Sequence, residues 1–311
     1  MTYNEVSPEN NYYQVIIADI THKCNMTCKN CYIPNRDHPD MDLERFKDFL
    51  SRLPAPITIR LIGAEPTMNR QLPEFIKAIK DNGHRMGLLT NGLRLSHEKY
   101  LKMLMDYGLN VVYISMNGVD NDDWYEAIDE MRCAKKKLQA FSNLIKNNVR
   151  TETGTIIASG INEEAPARLL HLVDTHDVKD ILIRIKNVGQ IGRYMEDDSK
   201  AITMKELVSL CATQFNISED YIWEFKEKSG YAMNKEQNTV LFPLEYGART
   251  ITRGRWIKLT NWISDKDAGI PDPLSERRGR VTQDFNVAPF FEHVKENEFG
   301  YVEGIFNWVP L

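Results

Sequence analysis

No stretch of this chain approaches the ~20 consecutive apolar residues that cross a bilayer, so no membrane-spanning helix is expected. Basic residues do not outnumber acidic ones. The 39 Lys and Arg stand against 44 Asp and Glu, a formal net charge of −5. A whole-molecule field that would draw nucleic acid is therefore missing, and a nucleic-acid substrate is disfavoured. The segment Met1 to Asn11 is polar and acidic and lacks the charged-then-apolar pattern of a secretory signal, so a cytoplasmic protein is expected. There is no internal repeat and no low-complexity tract. Cysteine is scarce, with five in 311 residues and none after Cys211. Three of the five fall within eight residues, and Cys133 and Cys211 stand alone. Such a set is a poor disulfide framework and reads more readily as a metal or cluster site.

What is present is ordinary globular material, 42% hydrophobic and 27% charged. A length of 311 residues suits one large domain, or one domain with an appendage. Short runs rich in β-branched residues recur at Gln14–Ile20, Ile57–Ile62, Arg85–Leu89, Asn110–Met116, Thr153–Ala158 and Asp180–Lys186. Between them lie stretches of helical spacing at Leu43–Leu53, Leu72–Asn82, Glu98–Tyr107, Asp122–Asn147 and Pro166–Thr175. This β-α rhythm predicts an α/β fold with buried parallel strands. A partly closed barrel and a flat doubly wound sheet both fit it, and in either case functional residues belong at the C-terminal ends of strands. The rhythm fades after about Phe215. Within residues 217–311, Arg255–Trp262 looks strand-like and Phe290–Glu296 suits a short helix.

Directly after the first expected strand comes His22-Lys23-Cys24-Asn25-Met26-Thr27-Cys28-Lys29-Asn30-Cys31-Tyr32. Three thiolates at this spacing can wrap one corner of an iron–sulfur cubane. Such clusters usually take four cysteines, so one iron would keep an open coordination position, as a reactive centre needs. A structural zinc site completed by His22 or His38 also fits the spacing.

These residues resemble the radical S-adenosylmethionine (SAM) superfamily, whose signature is C-x3-C-x2-C after the first strand of a partial (β/α)6 TIM-like barrel. Further segments match in order. Gly63-Ala64-Glu65-Pro66 resembles the family's Gly-Gly-Glu-Pro, in which backbone and carboxylate hold the SAM ammonium; Ala64 is the departure. Thr90-Asn91-Gly92 resembles Thr-Asn-Gly, and Ser115-Met116-Asn117-Gly118 stands where relatives often have Ser-x-Asp-Gly. Asn117 keeps the hydrogen bonding of the usual Asp but not its charge. Arg184 is placed to fork onto the SAM carboxylate, and Gly189 and Gly192 resemble the Gly-Arg loop that approaches adenine. Asn30 stands where relatives often carry an aromatic residue, with Tyr32 just past the cysteine; both positions are expected near adenine.

The resemblance covers roughly residues 14–195. It implies one [4Fe-4S] cluster on Cys24, Cys28 and Cys31, with SAM bound through Asn30, Tyr32, Gly63, Ala64, Glu65, Asn91, Ser115, Asn117, Arg184, Gly189 and Gly192. It also implies reductive SAM cleavage to a 5′-deoxyadenosyl radical that abstracts hydrogen from an organic substrate, a peptide or an anionic small molecule. A flavodoxin- or ferredoxin-type donor supplies the electron. The domain division that follows is a barrel over 1–216 and a C-terminal α+β extension over 217–311 that packs on the barrel and covers substrate. With no cysteine in the extension, a second cluster is not expected. Cys133 and Cys211 are expected in helices as buried small hydrophobes. Arg249, Arg253, Arg255 and Lys258, interleaved with Trp256 and Trp262, form one basic run and Arg277, Arg278 and Arg280 another. Arg253 and Arg255 are candidate contacts to an anionic substrate. The readings that compete with this enzyme are a non-catalytic zinc-binding or interaction module and a nucleic-acid-modifying enzyme of the same superfamily.

Overall fold

Buried β-branched runs alternate with amphipathic helices in the computed structural model, which describes residues 5–31, 38–188, 198–228, 239–244, 254–260 and 278–289. Six strands pair parallel in sequence order: β1 (Val15–Asp19), β2 (Thr58–Ile62), β3 (Arg85–Thr90), β4 (Val111–Ser115), β5 (Arg150–Ile157) and β6 (Ile181–Asn187). The crossovers are α1 (Leu43–Ser51), α2 (Leu72–Asp81), α3 (Glu98–Tyr107), the pair α4 (Asp122–Asp129) and α5 (Ala134–Lys146), and α6 (Ala165–Thr175). This is the partial (β/α)6 TIM-like barrel. The helices turn apolar stripes onto the sheet; α2 buries Leu72, Phe75, Ile76 and Ile79, which mesh with Phe46 and Phe49 of α1. Caps fit the chain locally. Asp42 accepts from Arg45 N at 2.8 Å at the start of α1, and Gly108 ends α3 in the left-handed region at φ 118°.

Expected strands fall where the structure has them to within a few residues, β5 showing the largest offset because it starts at Arg150. The single long helix expected over 122–147 is two helices. Glu130 ends α4 in the left-handed region at φ 54°, and Cys133 is the residue before α5 rather than a helical one. The break has a tertiary cause: Lys29 N donates to Ile128 O at 3.0 Å, which ties the end of α4 beneath the cysteine segment. Across the gap, Asp122 accepts from Ala134 N at 2.8 Å and caps α5.

After β6 come α7 (Met204–Phe215), which carries Cys211 in its buried face, and α8 (Glu219–Lys228). The remaining strands are β7 (Thr239–Pro243), β8 (Arg255–Thr260), β9 (Arg278–Val281) and β10 (Val287–Pro289). They do not merely pack on the barrel. β8 pairs parallel with β6, and β9 pairs parallel with β1, so residues from beyond 217 extend the sheet at both edges. β7 and β10 close the two ends as antiparallel strands, giving the order β10-β9-β1-β2-β3-β4-β5-β6-β8-β7. A buried pair fixes one seam: Arg280, 0% exposed, donates through Nε to Asp19 at 2.7 Å. Trp262 and Phe290–Glu296 lie outside the described residues. Among the described residues no helix is long and apolar enough to cross a membrane.

Candidate active site

The C-terminal ends of β1 to β6 surround a cavity of about 290 Å³. Cys24, Cys28 and Cys31 line it from the β1 side, on a segment that is stapled to its surroundings. Ala64 N donates to Thr21 O at 3.0 Å and Glu65 N to Lys23 O at 3.0 Å, joining this segment to the turn after β2. Asn91 Nδ2 donates to Asn25 Oδ1 at 2.8 Å. Met26, 4% exposed, packs its side chain with Leu93, Tyr125 and Cys133 beneath Cys24 and Cys28.

The turn after β2 has a steric reason for its first residue. Gly63 sits at φ 146°, and a Cβ there would lie 2.2 Å from Thr21 O. Ala64 is not among the residues at positive φ, so its methyl meets no backbone penalty. Glu65 is 1% exposed. Its Oε1 accepts from Thr67 N (3.0 Å), Thr67 Oγ1 (2.6 Å) and Thr90 Oγ1 (2.7 Å), and Oε2 from Asn91 N (2.7 Å). One carboxylate thus fixes the turns after both β2 and β3, and Oε2 retains acceptor capacity on the cavity side. Asn91 spends its amide on Asn25 and its carbonyl on Leu93 N.

Asn117 lines the cavity with both ends of its side chain engaged: Oδ1 accepts from Ile156 N at 3.0 Å, and Nδ2 donates to Asp129 Oδ1 at 2.8 Å. Asp129, 1% exposed, also lines the cavity, and its Oδ2 has no hydrogen-bond partner within normal distance. Burial holds its carboxyl above the usual carboxylate range, with Lys137 acting in the opposite direction. Burial, and secondarily the charge of Asp129, push the Cys28 thiol far up. A bound metal reverses that balance, because a coordinating thiol is deprotonated outright. Ser115 closes the β4 end, its carbonyl accepting from Lys137 Nζ at 2.9 Å.

Eleven of the expected residues have described positions and line this one cavity: Cys24, Cys28, Asn30, Cys31, Gly63, Ala64, Glu65, Asn91, Ser115, Asn117 and Arg184. Tyr32, Gly189, Gly192 and Arg253 lie outside the described residues. Arg255 is not brought to the cavity, contrary to expectation. It begins β8 opposite Ile181, at the other end of the strands, and is held by Val178 O and the Asp174 carboxylate. Three further polar lining residues were missed: Asp129, Tyr113 and Asn187. Lys186, which strand alternation puts on the same face as Arg184 either in the barrel mouth or at a surface edge, lines the cavity beside it. Asp129 had no signal, since a break between two helices delivers it.

The donor set fits a cluster better than a single ion. Among the described residues no three His, Cys, Asp or Glu side chains gather closely enough to hold one metal ion. His22 and His38 pack ring against ring at 5.1 Å. A cubane spreads its ligands over several irons, so three thiols along one cavity wall suit it where a tetrahedral zinc site would need them converged.

Comparison with known proteins agrees. The model of the radical SAM superfamily matches residues 19–173. A 7,8-dihydro-6-hydroxymethylpterin dimethyltransferase of Methanocaldococcus jannaschii is 32% identical over 117 residues, covering 35% of this chain and 23% of that protein. A GTP 3′,8-cyclase of Campylobacter curvus is 24% identical over 210 residues, covering 65% of this chain and 63% of its own length. The chain therefore spans less than two thirds of these relatives. In fold it is similar to Streptococcus suis SuiB, crystallised bound to S-adenosylmethionine, with TM-score 0.57 at 9% identity over 89% of this chain and 60% of that one.

Proposed function

From the premise that this chain carries a radical SAM domain, we propose that it is a radical SAM enzyme. It holds one [4Fe-4S] cluster through Cys24, Cys28 and Cys31 and SAM in the adjoining cavity. The observation that carries this reading is convergence: three thiols, residues of three further motifs and Arg184 line one cavity at the C-terminal strand ends.

When bound, the cluster and SAM would supply one-electron chemistry for hydrogen-atom abstraction from substrate. The chain's own residues place and shield that chemistry. Gly63 lets the turn after β2 run close to the cysteine segment, and Glu65 Oε2 keeps a lone pair for the SAM ammonium. Arg184 forks onto the SAM carboxylate. Met26, Ile62, Leu89 and Ile156 make the remaining wall apolar and exclude water that would quench a radical. A flavodoxin- or ferredoxin-type protein supplies the electron. The substrate is a peptide or an anionic small molecule, two classes represented among similar proteins: the cyclase is named for GTP, and SuiB has been crystallised with its precursor peptide SuiA.

Anaerobic incubation with SAM and dithionite is expected to yield 5′-deoxyadenosine, and Cys28→Ala to lower its formation at least 100-fold with loss of cluster iron. A colourless wild-type protein carrying one zinc and forming no 5′-deoxyadenosine would overturn the proposal.

A further inference from the structure

The cavity side of the sheet carries more positive charge than SAM alone would use. Arg60 of β2 lies over the Tyr113 ring at 4.8 Å, and Arg184 of β6 lies over the same ring at 5.6 Å. In register with Arg184 on β8 is Lys258. Lys186 follows on the same face of β6, and with Arg184 it lines the cavity. Arg278 begins β9 in register with Val15, at the strand ends remote from the cavity, and only adds to the positive field on both lysines. In register with Arg184 on the other side is Gly154 of β5, which also lines the cavity. A Cβ there would meet only the Ile114 carbonyl, at 3.9 Å, so a side chain at this position has room on the cavity wall.

Like charges in a setting of low dielectric repel strongly. Burial, then the neighbouring cations, hold the Lys186 ammonium well below the ordinary lysine value and bring Lys258 down to about 7. Glu152 of β5 is the carboxylate whose charge opposes this at Arg184 and Lys258. A SAM carboxylate carries one negative charge and engages one of these groups. With Arg184 so engaged, Arg60, Lys186 and Lys258 remain beside it, and that grouping suits a small group bearing two or more negative charges.

Resting on the enzyme reading above, we propose that Lys186 and Lys258, beside the Arg184 that takes the SAM carboxylate and backed by Arg60, seat the phosphate or pyrophosphate group of a phosphorylated small-molecule substrate across the cavity from the cysteines. A cavity of about 290 Å³ enclosed by strand ends admits such a group, and a chain with net charge −5 has no extended basic surface for a nucleic acid. The anion favours the protonated form of lysines that burial and neighbouring cations push toward neutrality, so binding takes up protons.

The test is calorimetric titration of the cluster-reconstituted protein with pyrophosphate at constant ionic strength. The pH is set to 6.5, 8 or 9, in buffers of different ionisation heat. Wild type is expected to bind in the micromolar range at pH 6.5. Lys258 loses its proton as pH rises through 7, and Lys186 is likewise held below the ordinary lysine value, so affinity falls at least ten-fold by pH 9. Buffer-dependent heats near pH 8 report proton uptake. Lys258→Met is expected to weaken binding about ten-fold at pH 6.5 and to reduce the proton uptake. Gly154→Asp, which sets a carboxylate in front of Arg184, removes binding without touching any lysine. Absence of pyrophosphate binding to wild type at millimolar concentration overturns the proposal. So does tighter binding of an acidic peptide than of pyrophosphate, or affinity that neither pH nor either substitution changes. Formation of 5′-deoxyadenosine by wild type without pyrophosphate reads the enzyme reading separately, so failure of one is distinguishable from failure of the other.

Discussion

A carboxylate 1% exposed must be matched by donors, and Glu65 is matched by two backbone N–H groups and two hydroxyls drawn from the turns after β2 and β3. Its removal strands those donors in a dry setting, and each costs ~1–3 kcal/mol. Glu65→Ala is therefore expected to lower unfolding free energy by about 3 kcal/mol, read as a shift in urea midpoint. Glu65→Gln is expected to cost less, because it keeps one acceptor oxygen. This is also where the sequence could be read well for identity and less well for role. The Gly-Ala-Glu-Pro and Thr-Asn-Gly motifs mark residues that do line the cavity. Yet the side chains of Asn91 and Asn117 are spent on Leu93 N, Asn25, Ile156 N and Asp129, not left open toward a ligand. A motif names a position, while the hydrogen-bond partners that use it up come from segments far along the chain. Asp129 shows the converse: a buried carboxylate on the cavity wall with no motif around it.

At the scale of elements, apolar periodicity located β1 to β6 and most helices because each buries a face against the sheet, and burial is what periodicity records. It failed at α4 and α5, where apolar spacing continues across residues 130–133 although the helix does not. The stop is set by Lys29 N on Ile128 O and by Asp122 capping Ala134, contacts that no local pattern encodes. The break is strained in one respect. Glu130 sits at φ 54°, a region that disfavours residues with a Cβ. Glu130→Gly relieves this and is expected to raise stability by ~0.5–1 kcal/mol, seen as a thermal midpoint a few degrees higher. The opposite result, a fall in the midpoint, would mean that the interactions of the Glu130 side chain outweigh its backbone cost.

For the molecule as a whole, the first 216 residues announce a barrel, and the later ones do not announce that they finish it. β8 is six residues long and β9 four, and each carries two cations, Arg255 and Lys258 in one and Arg278 and Arg280 in the other, so they read as basic surface. Their partners, β6 and β1, lie roughly 75 and 260 residues earlier, a separation at which no sequence pattern fixes register. The assembled sheet gives these strands a structural task. β9 covers the open edge of β1, the strand that leads into the cysteines, and Arg280 meets the buried Asp19 at its end. β8 covers the open edge of β6 and brings Lys258 beside Arg184. A chain ending at residue 216 would expose two parallel edges, each a template for intermolecular pairing, and would leave the Asp19 carboxylate without its guanidinium. It is expected to lack a cooperative thermal transition by circular dichroism and to elute as aggregate in gel filtration. A truncated protein that melts cooperatively as a monomer and retains iron would show instead that the β1–β6 barrel stands alone. The edge strands would then serve only the substrate, and their stabilising share, read here from register and one buried ion pair, would be small.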